Sequence, residues 1–261
     1  MFYGKTVWIT GASSGFGEAL ALEFARQEAR LVLSARREQA LQQVREKIDQ
    51  AVVVPMDMCD TASFPARTEA AIQAFGQIDL IVHNAGIAQN ARVVDTLPQV
   101  HRQIMEVDFF GATELTRCLL PHFLARKSGH IVVVSGLLAK VGLPGRSSYC
   151  AAKAALHGYF DCLRAELCNE SIDVSILVPG AMQTPLASKA LDGQGGVSGR
   201  QSQGGCPVDE AARQALEAIR QKKYQSYIGK NDKGRLMFYM SRFFPEKAIN
   251  MVIKQARAAQ N

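Results

Sequence analysis

Tyr149 and Lys153 are two ionisable residues four positions apart in the segment SSYCAAKAAL. Because an α-helix has 3.6 residues per turn, this spacing places a phenol and an ammonium group on one helix face. An isolated tyrosine titrates near pH 10, and moving its pKa about three units toward neutrality requires roughly 4 kcal/mol of preferential stabilisation of the phenolate. A lysine one turn away supplies part of that stabilisation. The pair is therefore a candidate acid/base catalyst, although the same spacing also occurs on ordinary exposed helix faces.

Short apolar and β-branched runs alternate with longer helical patterns along the chain. The runs predicted to be strands are KTVWIT, RLVLSA, AVVVPM, IDLIVHN, HIVVVS, IDVSILV and YQSYIG. The patterns predicted to be helices include FGEALALEFARQ, EQALQQVREKI and VDEAARQALEAIRQK. Strands that are apolar throughout are usually buried on both faces. The alternation therefore predicts the α/β class: a single-domain, Rossmann-like, doubly wound parallel sheet of about seven strands, with helices on each side.

Composition narrows the functional classes. The chain has 261 residues, of which 48% are hydrophobic, and this is enough for a substantial core. The formal charge of +6 permits attraction to anions in general, but no zinc-finger or RNA-binding signature is present, so no nucleic-acid partner is expected. The six cysteines form no C-x-x-C pair, so we predict no metal site. No charged leader with an apolar core and no membrane-spanning run is visible, and we expect a cytoplasmic protein.

The first predicted strand ends in a glycine-rich turn, TGASSGFG, immediately before the first helical pattern. Glycines there allow a tight turn and a close approach of the backbone, while free N–H groups at the start of a helix favour a pyrophosphate. The position between the first strand and the first helix of a βαβ series predicts a dinucleotide-binding loop. The residues predicted to bind the cofactor there are Gly11, Ser13, Ser14, Gly15, Phe16 and Gly17.

Four ordered motifs together resemble the short-chain dehydrogenase/reductase family, including its NADP(H)-dependent hydroxysteroid dehydrogenases. They are TGASSGFG, Asn84-Ala85-Gly86 after the fourth strand, Tyr149-x-x-x-Lys153, and Pro179-Gly180 after the sixth strand. The resemblance covers residues 4 to 230 and implies an oxidoreductase that reduces a carbonyl group or oxidises a secondary alcohol. It also implies that Tyr149 exchanges the proton, while Lys153 holds the nicotinamide ribose and lowers the pKa of the tyrosine.

The residues after the second strand bear on the choice of cofactor. A carboxylate there would repel a 2′-phosphate, but this chain has Arg36 and Arg37. A charge-assisted hydrogen bond contributes roughly 1.5 to 3 kcal/mol, so one well-placed Arg36 predicts a preference of about 10 to 150-fold for NADP(H) over NAD(H). The alternative is that both arginines cap a surface helix. By resemblance, the remaining cofactor contacts are Asp57, Met58, Asn84, Ala85, Gly86, Tyr149, Lys153, Pro179, Gly180 and Thr184.

Two positions depart from the family pattern, and the first concerns a serine that hydrogen-bonds the substrate oxygen. Its expected place, about thirteen residues before the tyrosine, is Gly136, and Ser135 lies one position too early. Successive side chains of a strand face opposite ways, so Ser135 substitutes for it only if the strand end is bulged. Removing one donor to a developing oxyanion typically costs about 10² to 10³ in turnover. The alternatives are thus a slow enzyme and a nearly inactive NADP(H)-binding protein that acts as a redox-responsive or structural dimer.

The second departure is Asp108, where the family has an asparagine that supports a helix kink and a water chain to the lysine. An ionised aspartate only accepts hydrogen bonds. A charged Asp108 near Lys153 would hold the lysine protonated but compete with the phenolate for it, whereas a protonated Asp108 could mimic the amide. A third alternative is that Asp108 only satisfies helix backbone groups. The predicted catalytic set is Tyr149, Lys153, Ser135 and Asp108, and both departures fit either a natural protein or substitutions introduced into an active one.

Two segments after the sixth strand are predicted to border the substrate or a partner. Residues 188–205, rich in glycine, serine and glutamine, are predicted to form a flexible lid, and the predicted substrate contacts are Gly136, Tyr149, Met182 and Leu186. The tail, residues 235–261, mixes aromatic and basic side chains. We expect it to pack on its own domain or on a partner subunit, with peripheral membrane contact as the less favoured alternative. The resemblance implies a homodimer or homotetramer.

Overall fold

Seven parallel strands form one sheet in a computed structural model that describes residues 2–199, 204–230 and 233–258. The strands are β1 (Thr6–Thr10), β2 (Arg30–Ser34), β3 (Ala51–Val53), β4 (Leu80–His83), β5 (Gly129–Val134), β6 (Ile172–Pro179) and β7 (Gln225–Ile228). Their order across the sheet is β3-β2-β1-β4-β5-β6-β7. The predicted α/β class and the seven-stranded, doubly wound parallel sheet are confirmed.

Helices cover both faces of the sheet and continue into the tail. They are α1 (Gly15–Ala25), α2 (Glu38–Arg45), α3 (Phe64–Phe75), α4 (Pro98–Met105), α5 (Gly111–Arg126), α6 (Ser147–Glu166), α7 (Val208–Arg220), α8 (Lys233–Phe243) and α9 (Pro245–Ala258). A single π-helical turn, Glu106–Phe110, joins α4 to α5. Such turns displace a side chain from the regular helical register and are frequent at functional sites.

Two apolar layers lie on opposite sides of the sheet, as the alternation of strand side chains requires. Val7 and Ile9 of β1 join one layer with residues of α1 and α7. Trp8, between them, joins the other layer with residues of α3, α5 and α6. Helices cover both layers, so a ligand is expected at the carboxyl ends of the strands and not on a face of the sheet.

The segment predicted to be a lid makes specific contacts in its described part, residues 188–199 and 204–205. Leu191 exchanges backbone hydrogen bonds with the chain after β4, donating to Ala88 O at 2.8 Å and accepting from Asn90 N at 2.7 Å. Asp192 closes a turn by accepting hydrogen bonds from Gln194 N at 2.8 Å and Gly196 N at 2.9 Å. The segment therefore lies against the loop after β4, and the rest of the predicted lid, residues 200–203, falls outside the described ranges.

Candidate active site

The carboxyl ends of β1, β4, β5 and β6 meet at one edge of the sheet and carry the motifs found in the sequence. The glycine-rich turn follows β1, Asn84 follows β4 and Gly136 lies just beyond β5. Pro179 ends β6, and Gly180 donates its N–H to Ile228 O at 2.8 Å. Parallel strands present all their carboxyl ends on the same side, so motifs that are far apart in sequence become neighbours here.

The glycine-rich turn is held against the chain after β4 by a small polar cluster. Thr10 Oγ1 accepts hydrogen bonds from Asn84 N at 3.0 Å and Ala85 N at 3.1 Å. The Asn84 amide nitrogen donates to Thr10 O at 3.1 Å and Gly11 O at 3.2 Å. Asn84 therefore positions the loop, in addition to its predicted place beside the cofactor.

Glycine is required at two positions of this turn for different reasons. Gly11 has φ +67°, a conformation that other residues rarely adopt, and an added Cβ would lie 2.8 Å from Ala85 Cα. Gly17, inside α1, would bring a Cβ into contact with Gly11 O and 2.5 Å from the Asn84 side-chain nitrogen. At these two positions the loop backbone thus approaches its neighbours too closely for a side chain.

The two arginines after β2 stand beside this loop. Both side chains are exposed, and Arg37 donates to Ser13 Oγ at 3.3 Å and Ser14 Oγ at 3.4 Å. The Arg37 guanidinium therefore contacts two hydroxyl groups of the predicted pyrophosphate loop itself. Asp57, which the resemblance places beside the adenine, accepts the N–H of Cys59 at Oδ1 at 3.0 Å.

Tyr149 and Lys153 lie one turn apart on α6, as their spacing predicts. The Lys153 ammonium lies 5.7 Å from the centroid of the Tyr149 ring, donates to Val134 O at 3.2 Å, and forms an ion pair with Asp108 Oδ2 at 3.2 Å. Tyr149 is half-buried, whereas Lys153 and Asp108 are almost fully buried. The ammonium is thus fixed between a strand carbonyl and a carboxylate, beneath the tyrosine.

Asp108 lies in the π-helical turn and makes two contacts that fix its carboxylate. Oδ1 accepts the N–H of Ile87 at 2.7 Å, while Oδ2 faces Lys153. Gly86 packs closely against both groups: a Cβ there would lie 3.0 Å from Asp108 Oδ2 and 3.1 Å from Lys153 Nζ, so these side chains would have to shift by a few tenths of an ångström. Asp108 therefore pairs with the lysine and satisfies a backbone group of the loop after β4, which differs from the helix backbone groups of the third alternative.

Burial controls the proton affinities of this cluster. Burial raises the pKa of Asp108, although the Lys153 ammonium and the Ile87 N–H oppose that change. Burial disfavours the charged lysine, but Asp108 and Tyr149 outweigh it, so the pKa of Lys153 is raised. Burial raises the pKa of Tyr149; Lys153 lowers it, and Asp108 raises it further. In the protein alone, therefore, the tyrosine is a protonated acid at neutral pH, and Asp108 weakens the effect of the lysine.

Gly136 faces the hydroxyl group of Tyr149. An added Cβ would lie 3.8 Å from the Tyr149 hydroxyl oxygen, 3.8 Å from Pro179 O and 4.0 Å from Leu138 N, all ordinary contact distances. The backbone is extended, with φ 173° and ψ 164°, which any residue adopts. Space for a small side chain beside the tyrosine is therefore present, without backbone strain.

A family model described as short chain dehydrogenase matches residues 5–195, which includes the glycine-rich turn, Asn84, Tyr149, Lys153 and Pro179. The chain belongs to the short chain dehydrogenase family. Members are oxidoreductases, which agrees with a tyrosine and a lysine placed beside a dinucleotide-type loop. The family match ends inside the predicted lid and leaves α7 and the tail outside it.

Individual relatives support the same assignment. The human dehydrogenase/reductase SDR family member 7 is 41% identical over 197 residues, which cover 72% of this chain and 58% of the human protein. A short-chain dehydrogenase from Streptomyces avermitilis has a TM-score of 0.81 and 27% identity, covering 99% of both chains. A 3-ketoacyl-(acyl-carrier-protein) reductase from Brucella melitensis, solved with NADH, has a TM-score of 0.78 and 27% identity, covering 88% of this chain and 99% of its own.

In this short chain dehydrogenase, the Ser135 side chain makes its hydrogen bonds to α6. This position differs from the prediction that Ser135 belongs to the catalytic set beside the Tyr149 hydroxyl. Its Oγ donates to Lys153 O at 3.1 Å and contacts His157 Nε2 at 2.9 Å. Since the serine proton goes to the carbonyl, Nε2 of the histidine must be the donor, and Nδ1 then accepts from Lys140 Nζ at 3.1 Å. Burial lowers the pKa of His157 to about 4, which keeps this histidine neutral. Ser135 therefore fastens β5 to α6.

Gln89 is a buried residue of this site that no sequence motif indicated. Its Oε1 accepts the N–H of Ser148, in the first turn of α6, at 2.9 Å, and its Nε2 donates to Thr96 Oγ1 at 3.0 Å. Arg146 also donates to the Gln89 carbonyl oxygen. The residue thus ties the loop after β4 to the turn that carries Tyr149. A single glutamine in a loop has no periodicity or spacing from which this role could be predicted.

The remaining predicted residues lie in different places. Thr184 and Pro185 lie over the glycine-rich turn, since a Cβ on Gly15 would be 3.4 Å from both side chains. Met182 pairs with Cys206 through an isolated bridge, and Leu186 is exposed. Met58 is buried against Gly111 of α5, so its side chain belongs to the core.

Metal ligands and membrane-spanning helices were sought among all the described residues, 2–199, 204–230 and 233–258. Across these ranges no three metal-ligating side chains converge. Over the same ranges, no helix has both the length and the hydropathy needed to cross a membrane.

Proposed function

We propose that this protein is an NADP(H)-dependent oxidoreductase that reduces a carbonyl group or oxidises a secondary alcohol. The observation that carries the proposal is the arrangement of Tyr149 over the Lys153 ammonium, at the same edge of the sheet as the glycine-rich turn. A tyrosine and a buried cation beside a dinucleotide loop are the groups that proton exchange with a reacting oxygen requires. The chain spans 58% of the human relative, so the activity of a complete protein is part of the proposal.

The proposed cofactor is supported by the shape and charge of the loop. Gly11 and Gly17 allow a tight loop backbone that suits a pyrophosphate, and Ser13 and Ser14 of the same loop supply hydroxyl groups that Arg37 contacts. The similarity to a reductase solved with NADH supports a nicotinamide nucleotide. The exposed pair Arg36 and Arg37 supports a 2′-phosphate, hence NADP(H). When bound, the nicotinamide supplies or accepts the hydride.

The protein's own groups would handle the proton. In reduction, Tyr149 donates its phenolic proton to the substrate oxygen, and the Lys153 ammonium stabilises the tyrosinate that forms. In oxidation the tyrosinate takes the proton from the alcohol. Asp108 keeps Lys153 protonated but also raises the pKa of Tyr149, which favours the acid form. Gly136 offers the substrate oxygen no hydroxyl donor. We therefore expect Tyr149 alone to stabilise the negative charge that develops on that oxygen, and turnover to be low.

The test combines nucleotide titration with a single-atom change at the tyrosine. NADPH and NADH are titrated by fluorescence, and NADPH consumption is then followed with ketones and aldehydes. Tyr149→Phe removes only the hydroxyl, so we expect turnover to fall by about 10² to 10⁴ with nucleotide affinity retained. Tyr159→Phe, in the exposed part of the same helix, is the matched control and should keep full activity. Full turnover in Tyr149→Phe would contradict the mechanism, and a folded protein that binds neither nucleotide would contradict the cofactor.

Gly136 favours a second candidate, a weakly active or inactive NADP(H)-binding protein that acts as a redox-responsive or structural dimer. This alternative predicts tight NADPH binding without measurable consumption across ketones, aldehydes and alcohols. It also predicts a change in dimer stability when NADPH is added, measured by light scattering. The homodimer or homotetramer and the cytoplasmic location remain predictions for both candidates.

A further inference from the structure

The positive charge of the chain is concentrated in its last two helices, which we call the C-terminal hairpin, residues 233–258. This segment contains one acidic residue, Glu246. Its six basic residues are Lys233, Arg235, Arg242, Lys247, Lys254 and Arg257. The hairpin therefore contributes a net charge of +5 to the formal +6 of the whole chain, leaving +1 for the other 235 residues. The overall basicity is therefore a local property of this segment.

Only one side of the hairpin packs on the domain. Phe238 stacks near Tyr227 of β7, with ring centroids 5.9 Å apart, while Ala248 and Val252, one turn apart on α9, are buried. No residue of α8 is fully buried. The predicted packing of the tail on its own domain thus accounts for one face and leaves the opposite face exposed.

The opposite face is apolar as well as basic. Phe243 is 69% exposed and Phe244 55%. The other exposed large apolar side chains of the hairpin are Leu236, Tyr239, Ile249, Met251 and Ile253. Basic residues lie beside them: the Lys247 ammonium stands 5.1 Å from the centroid of the Phe244 ring. Exposed apolar patches of this kind mark contact surfaces, since they gain free energy when covered.

Charge decides between the possible occupants of this face. A second copy docked on the same face would bring +5 against +5, which opposes association. An anionic bilayer complements the charge, because Lys and Arg bind acidic headgroups while aromatic and aliphatic side chains enter the boundary between headgroups and acyl chains. We propose that the outward face of the C-terminal hairpin binds the surface of an anionic lipid bilayer. This docking leaves the helices lying on the membrane and requires nothing of the catalytic site.

The test is flotation of the full chain with lipid vesicles. One set of vesicles contains phosphatidylcholine alone, and the other contains phosphatidylcholine mixed with phosphatidylglycerol. We expect binding to the anionic vesicles only, and weaker binding as the salt concentration rises. The double variants Phe243→Ser/Phe244→Ser and Lys247→Glu/Lys254→Glu should each weaken binding at least tenfold. All four side chains are exposed, so folding, checked by thermal melting, should be retained.

Matched controls separate the hairpin from general surface properties. Val94→Ser removes an apolar side chain that is 82% exposed elsewhere, and Arg67→Glu/Arg213→Glu makes the same charge change on α3 and α7. Both should bind vesicles like the parent protein. Absence of binding to anionic vesicles, or equal loss in the controls, would overturn the proposal. So would a hairpin variant that leaves vesicle binding intact but dissociates a dimer, because the face would then be covered by a second copy.

Discussion

Gly136→Ser is the perturbation that most directly tests the candidate site. The position is extended and unstrained, and the nearest atoms to an added Cβ are 3.8 Å away. One of these atoms is the Tyr149 hydroxyl oxygen. A serine hydroxyl, one bond beyond that Cβ, can therefore reach the same substrate oxygen that the tyrosine must contact, without displacing Pro179 or Leu138.

The size of the expected effect follows from what the hydroxyl would do. A donor aimed at an oxygen that gains charge in the transition state is worth about 10² to 10³ in turnover, or roughly 2.7 to 4 kcal/mol. The donor acts on the transition state more than on the neutral carbonyl, so the gain should appear in kcat and much less in KM. Nucleotide affinity should stay unchanged, because the glycine-rich turn is not touched.

The assay measures NADPH consumption with a panel of ketones and aldehydes, giving kcat and KM separately. Gly136→Ala is the matched control, since it adds the same Cβ without a hydroxyl and should leave kcat near the parent value. A gain in both variants would assign the effect to backbone ordering. A folded Gly136→Ser variant that binds NADPH and shows no gain in kcat would refute the reasoning that a missing donor limits turnover, and inactivity of both forms would favour the non-enzymatic candidate.

Two more predictions address the proton and the cofactor. In alcohol oxidation the tyrosinate is the base, so the rate rises with pH through the pKa of Tyr149. Because Asp108 raises that pKa, Asp108→Asn should move the rising limb of the pH–rate profile to lower pH. An unmoved limb would contradict the electrostatic coupling between Asp108 and Tyr149. Arg36→Gln or Arg37→Gln should reduce the preference for NADPH over NADH by about 10 to 150-fold, whichever arginine binds the 2′-phosphate. Titration of each variant with both nucleotides measures this preference. Arg117→Gln is the control and should leave it unchanged.

The fold could be predicted almost entirely from the sequence because its signals are local and repeated. Each strand is a short β-branched run, and each crossover is a longer helical pattern, so the order of elements leaves few topologies for a parallel sheet. The two layers then follow from alternation along the strands, as Val7 and Trp8 show. The packing of the tail is less predictable, since α8 and α9 pack through few side chains and nothing in the sequence separates these from the exposed ones.

Site residues can be predicted from the sequence when their type and spacing indicate the chemistry. Contacts that arise only because the chain folds back on itself cannot be predicted in this way. The i, i+4 spacing of Tyr149 and Lys153 fixes their common face without knowledge of the fold. The contacts of Gln89 with Ser148 and of Ser135 with His157 join segments far apart in sequence, and nothing in the composition of either segment specifies the partner.

The two departures from the family pattern act on different properties of the same tyrosine. Gly136 stands beside its hydroxyl and removes a donor to the substrate oxygen, which changes the barrier without changing a charge. Asp108 adds a charge beneath it and acts through Lys153 on proton affinity. A variant at Gly136 should therefore change the height of a pH–rate profile and leave its limbs in place, whereas a variant at Asp108 should move a limb. Because these readouts differ, slow turnover can be assigned to the missing hydroxyl or to the added carboxylate.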